Sequence, residues 1–209
     1  MNTTDKFITR WNKILEILHR WKPLGFKEVM TGAKLIGHIP AVAPEAWLHC
    51  VYSPLNIESI KEIERRLDMP LPISLIILYS FTNGMNLFSD SISIWGVREN
   101  YIRTGDAVWQ PYDLVDMNLP CERPRDANKS IVFIGGYNWD GSSLYYDAKA
   151  SSPEAIYRCS RDSVIPLNQW TDLWAMLEEE IVRLSCLYGE DGLAINPDTP
   201  TIPSNQQGI

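Results

Sequence analysis

Near the start of the chain, Phe7, Ile8, Trp11, Ile14, Leu15, Leu18 and Trp21 recur at three- and four-residue steps. That spacing predicts an amphipathic helix over residues 5–21, capped by Thr4 or Asp5 and followed by Pro23. Its Trp and Leu stripe reads as a packing face, with basic residues on the opposite side. Residues 22–55 are rich in Gly and Pro and read as an irregular connector holding one or two short strands, such as 47–52. Helical spacing resumes after Asn56, a good cap, through Ile57, Ile60, Ile63 and Leu67. Pro72 then suits the first position of a second helix over 73–81, apolar on nearly every side and hence buried. Asn83-Gly84 is expected to close it with a left-handed cap.

Beyond that helical hairpin the period changes. Ser91, Ile92, Ser93, Ile94 and Trp95 alternate as a half-exposed strand does. A long stretch, 98–129, follows, with a short helix expected within 109–117. Residues 130–134 form a compact apolar strand that Gly135-Gly136 closes, and Asp140-Gly141 signals a hairpin into 143–147. Residues 155–159 read as a third antiparallel strand. The last helix is marked by Trp170, Leu173, Trp174, Leu177, Ile181, Leu184 and Tyr188, with Asn168 as its cap and Gly189 as its terminator. After about Ile195 the Pro-, Ser-, Thr- and Gln-rich sequence lacks apolar periodicity and is expected to be disordered. The predicted class is α+β: a single domain of helices packed on a bent, mainly antiparallel sheet, plus an N-terminal helical arm. Its parts are 1–55, arm and connector; 56–190, the α+β domain; and 191–209, the tail.

Composition narrows the function. The chain has 209 residues, is 45% hydrophobic and carries a net charge of −7. No apolar run reaches the roughly 18–20 residues that span a bilayer, and the first residues lack a secretory layout. A pI near 5.0 argues against direct nucleic-acid binding. The reading is cytoplasmic, with no membrane contact. Residues 1–34 hold seven basic and three acidic side chains, leaving +4 there and −11 over residues 35–209. Such an acidic body steers basic partners as well as keeping the chain in solution.

Candidate chemistry is sparse. Cys50, Cys121, Cys159 and Cys186 are too scattered for a disulfide framework, and no His/Cys spacing offers a zinc cage. His49 and Cys50 are adjacent, so in an extended segment they point to opposite faces and do not form a nucleophile pair. Asp140 and Asp147 are the one carboxylate pair to weigh for acid/base work, and acidic turn residues are mostly structural. No phosphate-cradling glycine loop or nucleophile elbow is present. No enzyme activity and no cofactor are expected. Trp95, Trp109, Tyr137 and Trp139 lie near strand ends or loops, where Trp and Tyr serve as binding anchors; Trp139 beside Asp140 at the hairpin tip is the first pair to test.

One combination of motifs goes further. Ile60-x-x-Ile63-Glu64-x-x-Leu67, Leu71-Pro72, Leu78-Tyr79 and Asn83-Gly84 are followed in order by Ile134-Gly135-Gly136, Asp140-Gly141-Ser142, Tyr145-Tyr146-Asp147, Ile156-Tyr157 and the last helix. Over roughly residues 56–185 this order resembles the SUKH superfamily, which includes fungal cell-wall-synthesis regulators and bacterial immunity proteins. Met69 stands where that pattern often has glycine, and the N-terminal arm is long. The resemblance implies a non-catalytic immunity protein that binds a cognate bacterial toxin in the cytoplasm; a nuclease, with its basic substrate groove, would suit an acidic inhibitor. A regulatory or scaffold protein without a toxin partner is the alternative it implies.

Overall fold

The computed structural model describes residues 3–206. Helix α1 spans Thr3–Leu18 and tightens into a 3-10 turn, His19–Leu24. Thr4 and Asp5 therefore lie inside the helix rather than capping it, and the residues before Thr3 are outside the described ones. Pro23, with no N–H to donate, sits in that tighter turn, and Trp21 belongs to it too. Trp21 Nε1 donates to Gly189 O at 2.7 Å, tying the two ends of the chain together.

The Gly/Pro-rich connector is more ordered than its composition suggests. It contributes β1 (Phe26–Glu28), β2 (Lys34–His38) and β3 (Trp47–Val51). After the hairpin of α2 (Ile57–Leu67) and α3 (Ile73–Tyr79) come β4 (Met85–Leu87) and β5 (Ile92–Ile94). The insertion 98–129 holds only two short 3-10 turns, Gly105–Val108 and Asp116–Asn118, so the helix expected within 109–117 does not form. Then follow β6 (Ile131–Tyr137), β7 (Ser143–Asp147), β8 (Ile156–Cys159), β9 (Pro166–Trp170) and α4 (Leu173–Ser185). The nine strands run in sequence order as one antiparallel, open meander, β1 and β9 at its edges. The protein is an α+β single domain, and its N-terminal arm is part of the same sheet and core.

Local signals explain most boundaries. Asn56 caps α2, its Oδ1 accepting from Ser59 N at 2.8 Å. Pro72 precedes α3 in extended backbone, and α3 ends at Tyr79, four residues before Asn83. Asn83 does not cap a helix: its amide exchanges two 2.7 Å hydrogen bonds with the Val97 backbone. The α4 cap is Asp172, accepting from Ala175 N at 2.8 Å; Asn168, expected there, lies in β9. The tail expected to be disordered is seated on β9 through residue 206: Asn168 Nδ2 donates to Ser204 O and Gln206 N to Leu167 O.

One sheet face is covered by helices. Strand register aligns Ile36, His49, Leu87, Ile92 and Tyr137 across β2–β6, and the Tyr137 hydroxyl donates to Glu180 of α4 at 2.8 Å. Above them Phe7 packs on Trp174, Trp11 stacks on Phe81, and Arg10 makes two hydrogen bonds to Glu178. His49 lies between Trp21 and Phe88, where burial lowers its pKa to about 3 and keeps it neutral. Cys50 points the other way, into a small second core with Leu35 and Tyr52, and burial raises its thiol to about 12. The His49–Cys50 neighbours thus do lie on opposite faces.

Candidate functional site

The other sheet face is not uniformly covered. Register places Leu35, Cys50, Asn86, Ser93, Gly136, Ser143 and Cys159 in one transverse row over β2–β8. The row is apolar at both ends and small or polar in the middle. Insertion residues cover the Leu35 end, where Trp109 packs on the small core and Thr31 Oγ1 donates to its carbonyl. Over the middle lies a groove of about 700 Å³. Ser93, Gly136 and Ser143 line its floor, Trp95 and Phe133 flank them, and Tyr112, Met117 and Arg123 face them from the insertion.

Side chains fix that insertion to the sheet. Register shifts between Phe133 and Gly135, and Asn118 satisfies the bulged backbone, donating to Phe133 O at 2.7 Å and accepting from Phe133 N at 2.9 Å. Asp126 accepts from Ser163 Oγ and Val164 N, joining the insertion to the β8–β9 loop. Arg123 donates to the Asn128 and Ile131 carbonyls and lies over the Phe133 ring. Desolvation by burial lowers its pKa, and no carboxylate pairs with it among the described residues. Arg125 and Arg161 also line the groove without ion pairs, together with Glu122 and Asp162.

The opposite corner is Asp90, in the β4–β5 loop. Phe88, Ser89 and Asp90 have φ of 55°, 53° and 62°, three successive left-handed residues without a glycine. Such backbone persists only when its surroundings over-determine it. Here they do: Phe88 N donates to His49 Nδ1, Tyr188 Oη to Phe88 O, and Ser89 N to Leu48 O. Burial raises the Asp90 pKa, opposed by a hydrogen bond from Asn86, whose own Oδ1 is enclosed without a partner.

The sequence-derived residues divide among these places. Trp95 and Tyr137 are buried and border the groove, although the Tyr137 hydroxyl turns to Glu180 on the other face. Trp139 is 46% exposed on the β6–β7 hairpin, whose Asn138, Gly141 and Ser142 form the groove mouth. Asp140 does not face the groove as a free carboxylate: it pairs at 2.7 Å with Arg158, whose side chain is 1% exposed. Burial would raise the Asp140 pKa, but hydrogen bonds from Ser142 and Arg158 outweigh it and hold it low. Asp147 ends β7, four strand positions beyond Ser143 and so roughly 14 Å from the hairpin side, and it caps a turn by accepting from Lys149 N. These two carboxylates do not form a pair. Trp109 lies outside the groove. Asp90, Ser93, Tyr112 and Arg123 were not foreseen as site residues; the Ser91–Trp95 alternation was the one signal, since it set Ser93 off the apolar face.

Among the described residues, no three His, Cys, Asp or Glu side chains converge to hold a metal, and no helix is long and apolar enough to cross a membrane. No protein-family model matches the chain, and no curated protein matches it.

Proposed function

We propose that this protein is a non-catalytic immunity protein of the SUKH-like type, which binds and neutralises a cognate protein toxin in the cytoplasm. The observation that carries the reading is the groove. It combines aromatic walls with charged side chains of both signs, Asp90 and the arginines Arg123, Arg125 and Arg161, that have no ion-pair partner among the described residues. Aromatic and Arg side chains around a concave floor are the composition of protein-binding hot spots. The order of motifs over residues 56–185 and the antiparallel α+β architecture support the same class. The surplus negative charge beyond residue 34 favours encounter with a basic toxin surface such as that of a nuclease.

Co-expression with the toxin encoded beside its gene tests this. Rescue of growth and a co-purifying complex are expected, weakened by Trp95→Ala or Arg125→Glu in the folded protein. No rescue and no complex overturn it.

A further inference from the structure

Asp90 is a carboxylate without a cation in a protein that supplies cations elsewhere. The neighbouring Arg98 is engaged by Asn100 O, Pro111 O and the Tyr101 ring. Arg161 runs over Gly141, at the hairpin. Asn86, on the preceding strand, has a buried Oδ1 without a partner, so this part of the open face already holds a polar atom that the fold leaves unsatisfied. Two aromatic residues, Trp95 and Tyr112, border the same groove, and Ser93 lies on the floor between them. A desolvated carboxylate bordered by aromatic rings is complementary to a flat, weakly hydrated cation.

We infer that the Asp90 corner is an arginine-recognition subsite, receiving the guanidinium of an arginine on the partner protein. The guanidinium forks onto the Asp90 carboxylate and lays its face against Trp95 or Tyr112. Arginine fits better than lysine because its planar fork suits both the carboxylate and the ring. The guanidinium of Arg123 lies over Phe133 of β6, four strand positions or roughly 13 Å along β6 from Tyr137, which pairs with Ile92 beside the Asp90 loop; that is the reach of about four extended residues. That separation makes the occupant a chain segment rather than a lone small molecule. The subsite rests on the reading that the partner is a protein and names its contact chemistry.

The test uses the full chain, isotope-labelled, titrated with the capped peptide acetyl-Gly-Arg-Gly-amide. Matched peptides carry lysine or the uncharged isostere citrulline. Saturable shifts are expected at Asp90, Ser93, Trp95 and Tyr112, with citrulline binding weaker by about tenfold or more, the size of one lost charge-assisted contact. Asp90→Asn should lose the same factor while folding normally, because Asn tolerates the left-handed backbone at this position. Glu179→Gln, exposed on α4 across the sheet from the groove, should bind as the parent does. No saturable shift, or equal binding by Asp90→Asn or by citrulline, overturns the subsite. The probe contains no toxin, so its outcome is independent of the co-expression result: failed rescue with intact arginine binding removes the immunity reading alone.

Discussion

The two faces of one sheet use adjacent residues of the same strands for opposite ends. In β5, Ile92 and Ile94 are buried beneath the helices, whereas Ser93 between them floors a groove. The helix face is continuous, from Trp21 on His49 to Trp174 against Phe7 and Phe81. On the open face the central row, Asn86, Ser93, Gly136 and Ser143, is too small to form a second core, and the insertion bridges it at its edges. The difference teaches that a sheet can separate a packed core from an open, polar groove by alternation alone. Strain and unpaired charge collect on the face that contributes least to the core.

The largest effect should come from the covered face. Trp174→Ala removes a fully buried indole and its hydrogen bond to Ser74 O, and should cost about 3–5 kcal/mol in urea unfolding. Ile94→Ala should cost about 2–5 kcal/mol, whereas Ser93→Ala on the same strand should stay within about 0.5 kcal/mol. Similar losses for both β5 variants would break the contrast. Gly135→Ala should fall between them at about 1–3 kcal/mol, because its Cβ would meet Ser93 O at 2.2 Å.

Two aspartates sharpen the contrast through pH. Asp140 is held below its ordinary 3.8, so its pairing with Arg158 stabilises the fold fully above that value and is lost as pH falls through the depressed one. Asp90 is raised above 3.8 by burial, so its charge weakens the fold fully above the raised value and the penalty vanishes as pH falls. Denaturation midpoints across pH should therefore show Asp140→Asn less stable than the parent at neutral pH and Asp90→Asn more stable. Both differences should shrink in acid. A neutral-pH loss for Asp90→Asn would mean that its charge is paired within the fold.

The legible part of the fold was the part written in local periodicity and caps. The α1 stripe, the Asn56 cap, the β5 alternation, the β6–β7 hairpin and the body of α4 all depend on residues within a turn or two of one another. The strands of 22–55 were not legible as a set. β1 is three residues long and exposed throughout, and such a strand exists only because β2 pairs with it. β9 was hidden because Trp170 also fits the helical step of α4, and the tail because its order comes from carbonyls that Arg158, Asn168 and Arg183 reach from elsewhere.

The sequence by itself determined the α+β class, the helical hairpin, the acidic balance and the polar alternation at Ser91–Trp95, because each is a local or compositional property. Only the tertiary structure decided that Asp90 would be a strained, desolvated corner and Asp140 a paired one. Both are acidic residues in hairpin loops, and sequence spacing cannot separate them. What separates them is distance in space: Arg158 lies 2.7 Å from Asp140, and no cation pairs with Asp90 among the described residues. Whether a charge is tied into the fold or left unpaired depends on which partner the fold brings within reach.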